Sequence, residues 1–170
     1  NPTYIEAYNN LGNVLKKQEK LEDSIRLYQQ AIKISPKYAN AYNNLGVVLR
    51  ELGRLEQAIE VYQKAIEIQP NHSEAYNNLA NVMQELGRLE QAIEAHQKAI
   101  EIQPNCTEAH YNLALSFILK GDFDQGWKKY EWRWRCNDFP SEKRNFPQRP
   151  WDGTYLNGKS ILVWTEQGLG

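Results

Sequence analysis

The chain lacks most of the features that announce an enzyme pocket, a membrane anchor or a secreted framework. Lysine and arginine together number 20 and aspartate and glutamate 21, so the formal net charge is −1 and no surplus marks a generic polyanion binder. No run of about 18 apolar residues occurs, which excludes an ordinary transmembrane helix. No secretory leader is visible either. The only cysteines are Cys106 and Cys136. Each would lie at the same end of an antiparallel helix pair, where a bridge is conceivable if the Cα atoms come within about 7 Å. Without secretory features two reduced thiols in a cytoplasmic protein are the expectation. The three histidines, His72, His96 and His110, show no metal-ligand spacing, and neither a metal site nor a cofactor is expected.

What the chain does have is a period. Pro2, Pro36, Pro70 and Pro104 stand 34 residues apart, and the text between them nearly copies itself. Ala7-Tyr8-Asn9-Asn10-Leu11 returns as Ala41–Leu45 and Ala75–Leu79, then loosely as Ala109-His110-Tyr111-Asn112-Leu113. A fixed period of this size marks a solenoid, whose small units bury their apolar faces only by stacking. Within each unit apolar residues follow helical spacing twice. Ala41, Tyr42, Leu45, Val48 and Leu49 mark one helix, and Leu55, Ala58, Ile59, Tyr62, Ala65 and Ile66 another. Gly53, Gly87 and Gly121 fall at the break, suited to the left-handed residue that ends a helix. In the first unit Gln18-Glu19-Lys20 stands there instead and marks the break less distinctly.

This pattern resembles the tetratricopeptide repeat (TPR) family. Tyr8, Tyr42, Tyr76 and His110 match its large aromatic position. Leu11, Leu45, Leu79 and Leu113 match its leucine, and Gly12, Gly46, Ala80 and Ala114 the small residue after it. Ser24, Ala58, Ala92 and Gly126 fill the small site of the second helix, followed by Tyr28, Tyr62, His96 and Tyr130, then Ala31, Ala65 and Ala99. The fourth unit departs, with Arg133 at the alanine site and Asp138 where a proline is due. The resemblance implies an all-α fold, a right-handed superhelix of about four helix-turn-helix repeats, and a mostly irregular C-terminal extension ending in a short strand. The expected solenoid covers 3–138, with repeats of about 5–38, 39–72, 73–106 and 107–138. A Pro/Trp linker at 139–158 and the truncated start of an α/β domain at 159–170 would follow.

In this family the first helix of each pair lines the inner groove. Asn10, Asn44, Asn78 and Asn112 recur there at one position, with Asn9, Asn43 and Asn77 beside them and Asn13 further along. An amide both donates and accepts hydrogen bonds, so a column of amides can hold an extended polypeptide by its backbone. The column resembles the asparagine ladder in the repeats of O-linked N-acetylglucosamine transferases, whose AYNNLG wording is also close. The same side chains can instead bridge neighbouring first helices, a role that suits the Asn9 column best. A carboxylate clamp is not expected, because Asn9 and Glu74 stand where such clamps place lysines. His96 and His110 hold aromatic core positions, and His72 falls in a loop.

The tail changes character. Residues 127–160 hold eight Lys/Arg against four Asp/Glu, and all five tryptophans fall after residue 126. Trp127 and Trp134 replace Ile59 and Ile66 and are expected to face the core. Trp132 replaces Lys64 and Lys98, so the following segment is expected to cover it. Interleaved basic and aromatic residues can also stack on single-stranded nucleic acid. The core addresses of these aromatics favour an end cap or domain interface made by Trp127, Trp132, Trp134 and Trp151. Ser160-Ile161-Leu162-Val163-Trp164 reads as a buried strand, followed by the turn Gly168-Leu169-Gly170. With Pro150-Trp151-Asp152-Gly153 this segment resembles bacterial repeat proteins that carry a heptosyltransferase-like glycosyltransferase domain.

Both ends therefore read as cuts in a longer protein. The fragment is expected to be no enzyme, but a scaffold for a polypeptide partner, or else the substrate arm of a glycosyltransferase whose catalytic part is missing. End-to-end self-association is a further expectation; nucleic-acid binding and membrane insertion are not.

Overall fold

The structure, a computed structural model, describes residues 2–136. Eight helices follow in order: α1 (Pro2–Lys17), α2 (Leu21–Ile34), α3 (Ala39–Glu51), α4 (Leu55–Ile68), α5 (Ser73–Glu85), α6 (Leu89–Ile102), α7 (Thr107–Lys120) and α8 (Phe123–Tyr130). A 3-10 turn, Glu131–Arg135, closes the described chain. The fold is all-α, a superhelical stack of antiparallel helix pairs. The irregular extension, terminal strand, Trp151 and Gly168–Gly170 turn expected from the sequence lie outside the described residues.

Each first helix ends on one device. Gly53, Gly87 and Gly121 take φ of +71°, +71° and +87°. The next amide reaches back to close the helix, as Arg54 N–H does to the Leu49 carbonyl at 2.8 Å. A Cβ on these glycines would meet nothing within 4 Å, so backbone conformation and not crowding selects them. The first pair makes the same turn with Glu19 at φ +60° and the Lys20 amide on the Leu15 carbonyl at 3.0 Å. The indistinct break in the sequence is thus the same break made with an unsuited residue.

The pairs pack through small residues and one large ring each. Ala31, Ala65, Ala99, Ala41, Ala75 and Ala109 are all fully buried, which lets the helices approach closely. Tyr28, Tyr62 and His96 are fully buried beside them. Gly12 and Gly46 face those rings: a Cβ on Gly46 would lie 2.5 Å from Tyr62 Cε1. Successive pairs then join, as Leu45, Val48 and Ile59 enter one apolar cluster with Leu79 and Val82.

The end pairs show what stacking contributes. Leu11 and Val14 on α1 are 50% and 48% exposed, while their equivalents Leu45 and Val48 on α3 are 6% and 0%. At the other end Trp127 is 56% exposed, which corrects the expectation that it faces the core. Its equivalent Ile59 is buried because α5 packs over α4, and no described helix packs over α8 in that way. Trp127 instead meets Tyr130 edge-on at 5.5 Å.

Trp132, whose expected cover lies outside the described residues, has a partner within its own pair. It stacks on His110 of its own pair, with centroids 3.8 Å apart and planes 4° from parallel. Arg135 covers it at 4.3 Å. Its equivalents Lys64 and Lys98 are exposed and pair with Glu67 and Glu101 of their own helices. Arg133, where other units have alanine, is 6% exposed, with its guanidinium 4.6 Å from the Tyr130 ring and 4.3 Å from that of Trp134. Two ring faces and the Tyr130 carbonyl at 3.1 Å compensate its burial.

Candidate interaction groove

Neighbouring first helices touch, α1 with α3, α3 with α5 and α5 with α7, whereas among the described residues no second helix touches another second helix. The first helices therefore line the inside of the curve. The two asparagine columns meet along this line. Asn44 Nδ2 donates to Asn9 Oδ1 at 2.9 Å, Asn78 Nδ2 to Asn43 Oδ1 at 3.0 Å, and Asn112 Nδ2 to Asn77 Oδ1 at 3.4 Å. Each bond joins the second asparagine of one pair to the first asparagine of the pair before. Asn9, Asn43 and Asn77 are buried, while Asn44, Asn78 and Asn112 are half-buried and Asn10 is exposed.

The sequence placed both asparagine columns on first helices but did not reveal how they interlock. Bridging, expected chiefly of the Asn9 column, engages both columns at once. One N–H of each second asparagine is used, and its Oδ1 and other N–H remain for something else. Asn13 is drawn into its own pair, where its Oδ1 accepts from Tyr28 Oη at 2.7 Å. Further cross-links went unforeseen: Ser116 Oγ donates to Gln84 Oε1 at 2.7 Å, and Arg50 Nε to Glu85 Oε1 at 2.6 Å. Their only signal was helical spacing from the asparagines.

The histidines hold this frame together. His96 Nδ1 donates to Asn77 Oδ1 at 3.0 Å, so one carbonyl receives both His96 and Asn112. Its Nε2 is buried without a partner, and desolvation lowers the ring's pKa to about 4. His72 is buried, not a bare loop residue. Its Nδ1 accepts from the Ala75 amide at 3.4 Å at the start of α5, and its Nε2 lies 3.2 Å from Asn40 Oδ1 on α3. Burial lowers its pKa too. His110 Nε2 donates to the Pro104 carbonyl at 2.8 Å. Among the described residues no His, Cys, Asp and Glu cluster is fit to hold a metal, and Cys106 and Cys136 form no disulfide.

Paired helices crossing on small residues, with a polar face inside the curve, define a helical-repeat scaffold of the protein-interaction class. The tetratricopeptide repeat model matches residues 3–71 and again 37–105, and the chain belongs to that family. Its fold is similar to that of MamA, at 26% identity and a TM-score of 0.69, over 78% of this chain and 77% of MamA. It is also similar to a mutant of the Thermobaculum terrenum O-GlcNAc transferase, at 23% identity and TM-score 0.65, over 68% of this chain but 22% of that enzyme. The first TPR of Spaghetti (RPAP3), bound to an HSP90 peptide, matches at 20% identity and TM-score 0.68, over 71% of this chain and 96% of that one. No curated protein sequence matches. Among the described residues no helix is long and apolar enough to cross a membrane.

Proposed function

We propose that this protein binds an extended polypeptide along the inner face of its first helices, through the backbone of that partner. The observation that carries the reading is the half-committed amide column. Asn44 and Asn78 are fixed by one bond each to the preceding pair, which orients the rest of each amide without consuming it. A preorganised donor and acceptor on each pair suits a peptide backbone, which repeats the same two groups at every residue. Asn10 and Asn112 extend the column at either end. Asn9, Asn43 and Asn77 hold it in place, and Asn13 belongs to its support.

Replacing Asn44 and Asn78 by alanine is expected to weaken binding of a neutral extended peptide while leaving helicity unchanged by circular dichroism. Each lost hydrogen bond is expected to contribute about 0.5–1.5 kcal/mol. Unchanged affinity would remove the basis of the reading.

The domain plan proposed with it is a solenoid over 3–138, a linker at 139–158 and the start of an α/β domain at 159–170. In a second reading the groove presents polypeptide substrates to a glycosyltransferase domain. The wording of Pro150–Gly153 and Gly168–Gly170 supports it, and an enzyme assay on a chain extended past Gly170 tests it. End-to-end association of copies is supported by α1, which exposes Leu11 and Val14 where α3 buries their equivalents, and by Phe123 and Trp127 exposed at the opposite end. Sedimentation velocity over a concentration series reads it directly.

A further inference from the structure

The junctions between successive units are built alike, and each half of that junction also stands unused at one end of the described stack. One half is the second helix of a unit. Ile25, Ile59 and Ile93 are buried where α3, α5 and α7 pack over α2, α4 and α6. The same position of α8 is Trp127, with Phe123 one turn before it, and both are more than half exposed. The other half is the first helix of the following unit. Leu45 and Val48, Leu79 and Val82, and Leu113 and Ser116 are buried there, whereas Leu11 and Val14 of α1 are about half exposed.

Charge gives an independent observation at the same two places. Every internal junction carries an ion pair from the first turn of a second helix to the helix break of the next unit. Glu22 pairs with Arg54, Glu56 with Arg88 at 3.9 Å, and Glu90 with Lys120 at 3.0 Å. At the ends of the stack the two partners of such a pair stand apart. Lys20 occupies the Arg54 position in the first unit, and Asp124 the Glu22 position in the fourth. Among the described residues neither has an oppositely charged partner. One end thus offers an apolar face beside a cation, and the other an apolar face beside an anion.

We infer that a second copy of this chain docks its α1 on α8 in the register of the internal junctions. Leu11 and Val14 then cover Phe123 and Trp127, and Lys20 comes beside Asp124. This rests on the end-to-end association reading above, to which it adds the two faces, the register and the charge pair. Two different surfaces meet, so the contact is heterologous, and it prolongs a superhelix that does not close on itself. Every copy added leaves one α1 face and one α8 face free, and the product is an open chain of copies. The contact is weaker than an internal junction, because association costs translational freedom and Tyr111 stands where an acceptor asparagine would receive Asn10.

Sedimentation velocity of the 170-residue chain over a concentration series is expected to show dimers and then longer species. Leu11→Gln/Val14→Gln removes one face and Phe123→Gln/Trp127→Gln the other, and each variant alone is expected to sediment as a monomer. Mixed in equal amounts they are expected to form a dimer and stop there, since one intact face of each kind remains. All four side chains are exposed, so circular dichroism should show unchanged helicity. A second arm alters no apolar residue. Lys20→Glu or Asp124→Lys alone is expected to weaken association roughly fivefold at low salt, and both in one chain to restore it. Association that saturates at a dimer in the unaltered chain, a single-face variant that still dimerises, or charge reversals that fail to rescue each other would overturn the inference while association itself stands. A chain that stays monomeric throughout, its α8 face taken by residues 137–170 or by another protein, overturns both.

Discussion

Helices α4 and α6 have almost the same sequence, yet each buries a different ring against a different partner. Gly53–Asn71 and Gly87–Asn105 differ only where Val61-Tyr62 becomes Ala95-His96. In the second pair the Tyr62 ring tip lies so close to Gly46 that no side chain fits there. In the third pair the equivalent of Gly46 is Ala80, and the smaller imidazole of His96 leaves room for the added methyl. Two substitutions 16 residues apart in sequence, at 80 and 96, are therefore one substitution in space. The polar outcomes differ too. Tyr62 Oη has no partner, whereas His96 binds Asn77 and so connects the core of the third pair to the amide column.

The comparison breaks most visibly with acid. His96 in the folded protein has its pKa lowered from 6.5 to about 4, so the unfolded chain binds the proton more readily between those values. Stability is fully present above pH 6.5 and falls as pH drops towards 4, by roughly 3 kcal/mol across the window at about 1.4 kcal/mol per unit. Urea titrations at a series of pH values measure it. The His96→Tyr/Ala80→Gly variant, which gives the third pair the ring and the facing glycine of the second, should flatten that slope. Some slope will remain, since burial lowers His72 and His110 in the same direction.

Steric exchange comes next. Gly46→Ala, or His96→Tyr alone, should destabilise by about 1–3 kcal/mol through overpacking. Ala80→Gly should relieve the His96→Tyr penalty, and a double-mutant cycle that shows simple additivity would disprove the coupling. A smaller effect of opposite sign extends the comparison to the first pair. Glu19→Gly places the residue suited to φ +60° where the other pairs already have it, and should raise the urea midpoint by an equivalent of about 1 kcal/mol. Smallest of all, Arg54→Ala and Arg88→Ala should leave thermal stability within error, because both ion pairs are solvent-exposed.

The repeat made the helix pairs, their breaks and their buried rings legible, because period and residue size are written directly in sequence. What escaped was anything set by a neighbour. The asparagine bonds span 35 residues, not 34, so aligning the repeats shows two parallel columns and hides their interlock. Trp127 has a core address in the alignment, but burial requires a further helix to pack against it. Trp132 replaces the exposed Lys64 and Lys98, and its stack on the first-helix ring of its own pair, His110, leaves no mark in the alignment. The left-handed turn at Glu19 was visible only as a weakened signal, since position and not residue type specifies it.

The one-residue excess in those 35-residue bonds gives the column a direction. Each middle unit carries a donor facing backward and an acceptor facing forward, as a monomer in a head-to-tail polymer does. A duplicated middle unit would enter in register with no redesign, lengthening the column as a filament gains subunits. The fourth unit keeps the donor, Asn112, but has Tyr111 in place of the acceptor asparagine. In polymer language it is a chain terminator, and growth of the column is open at one end and closed at the other.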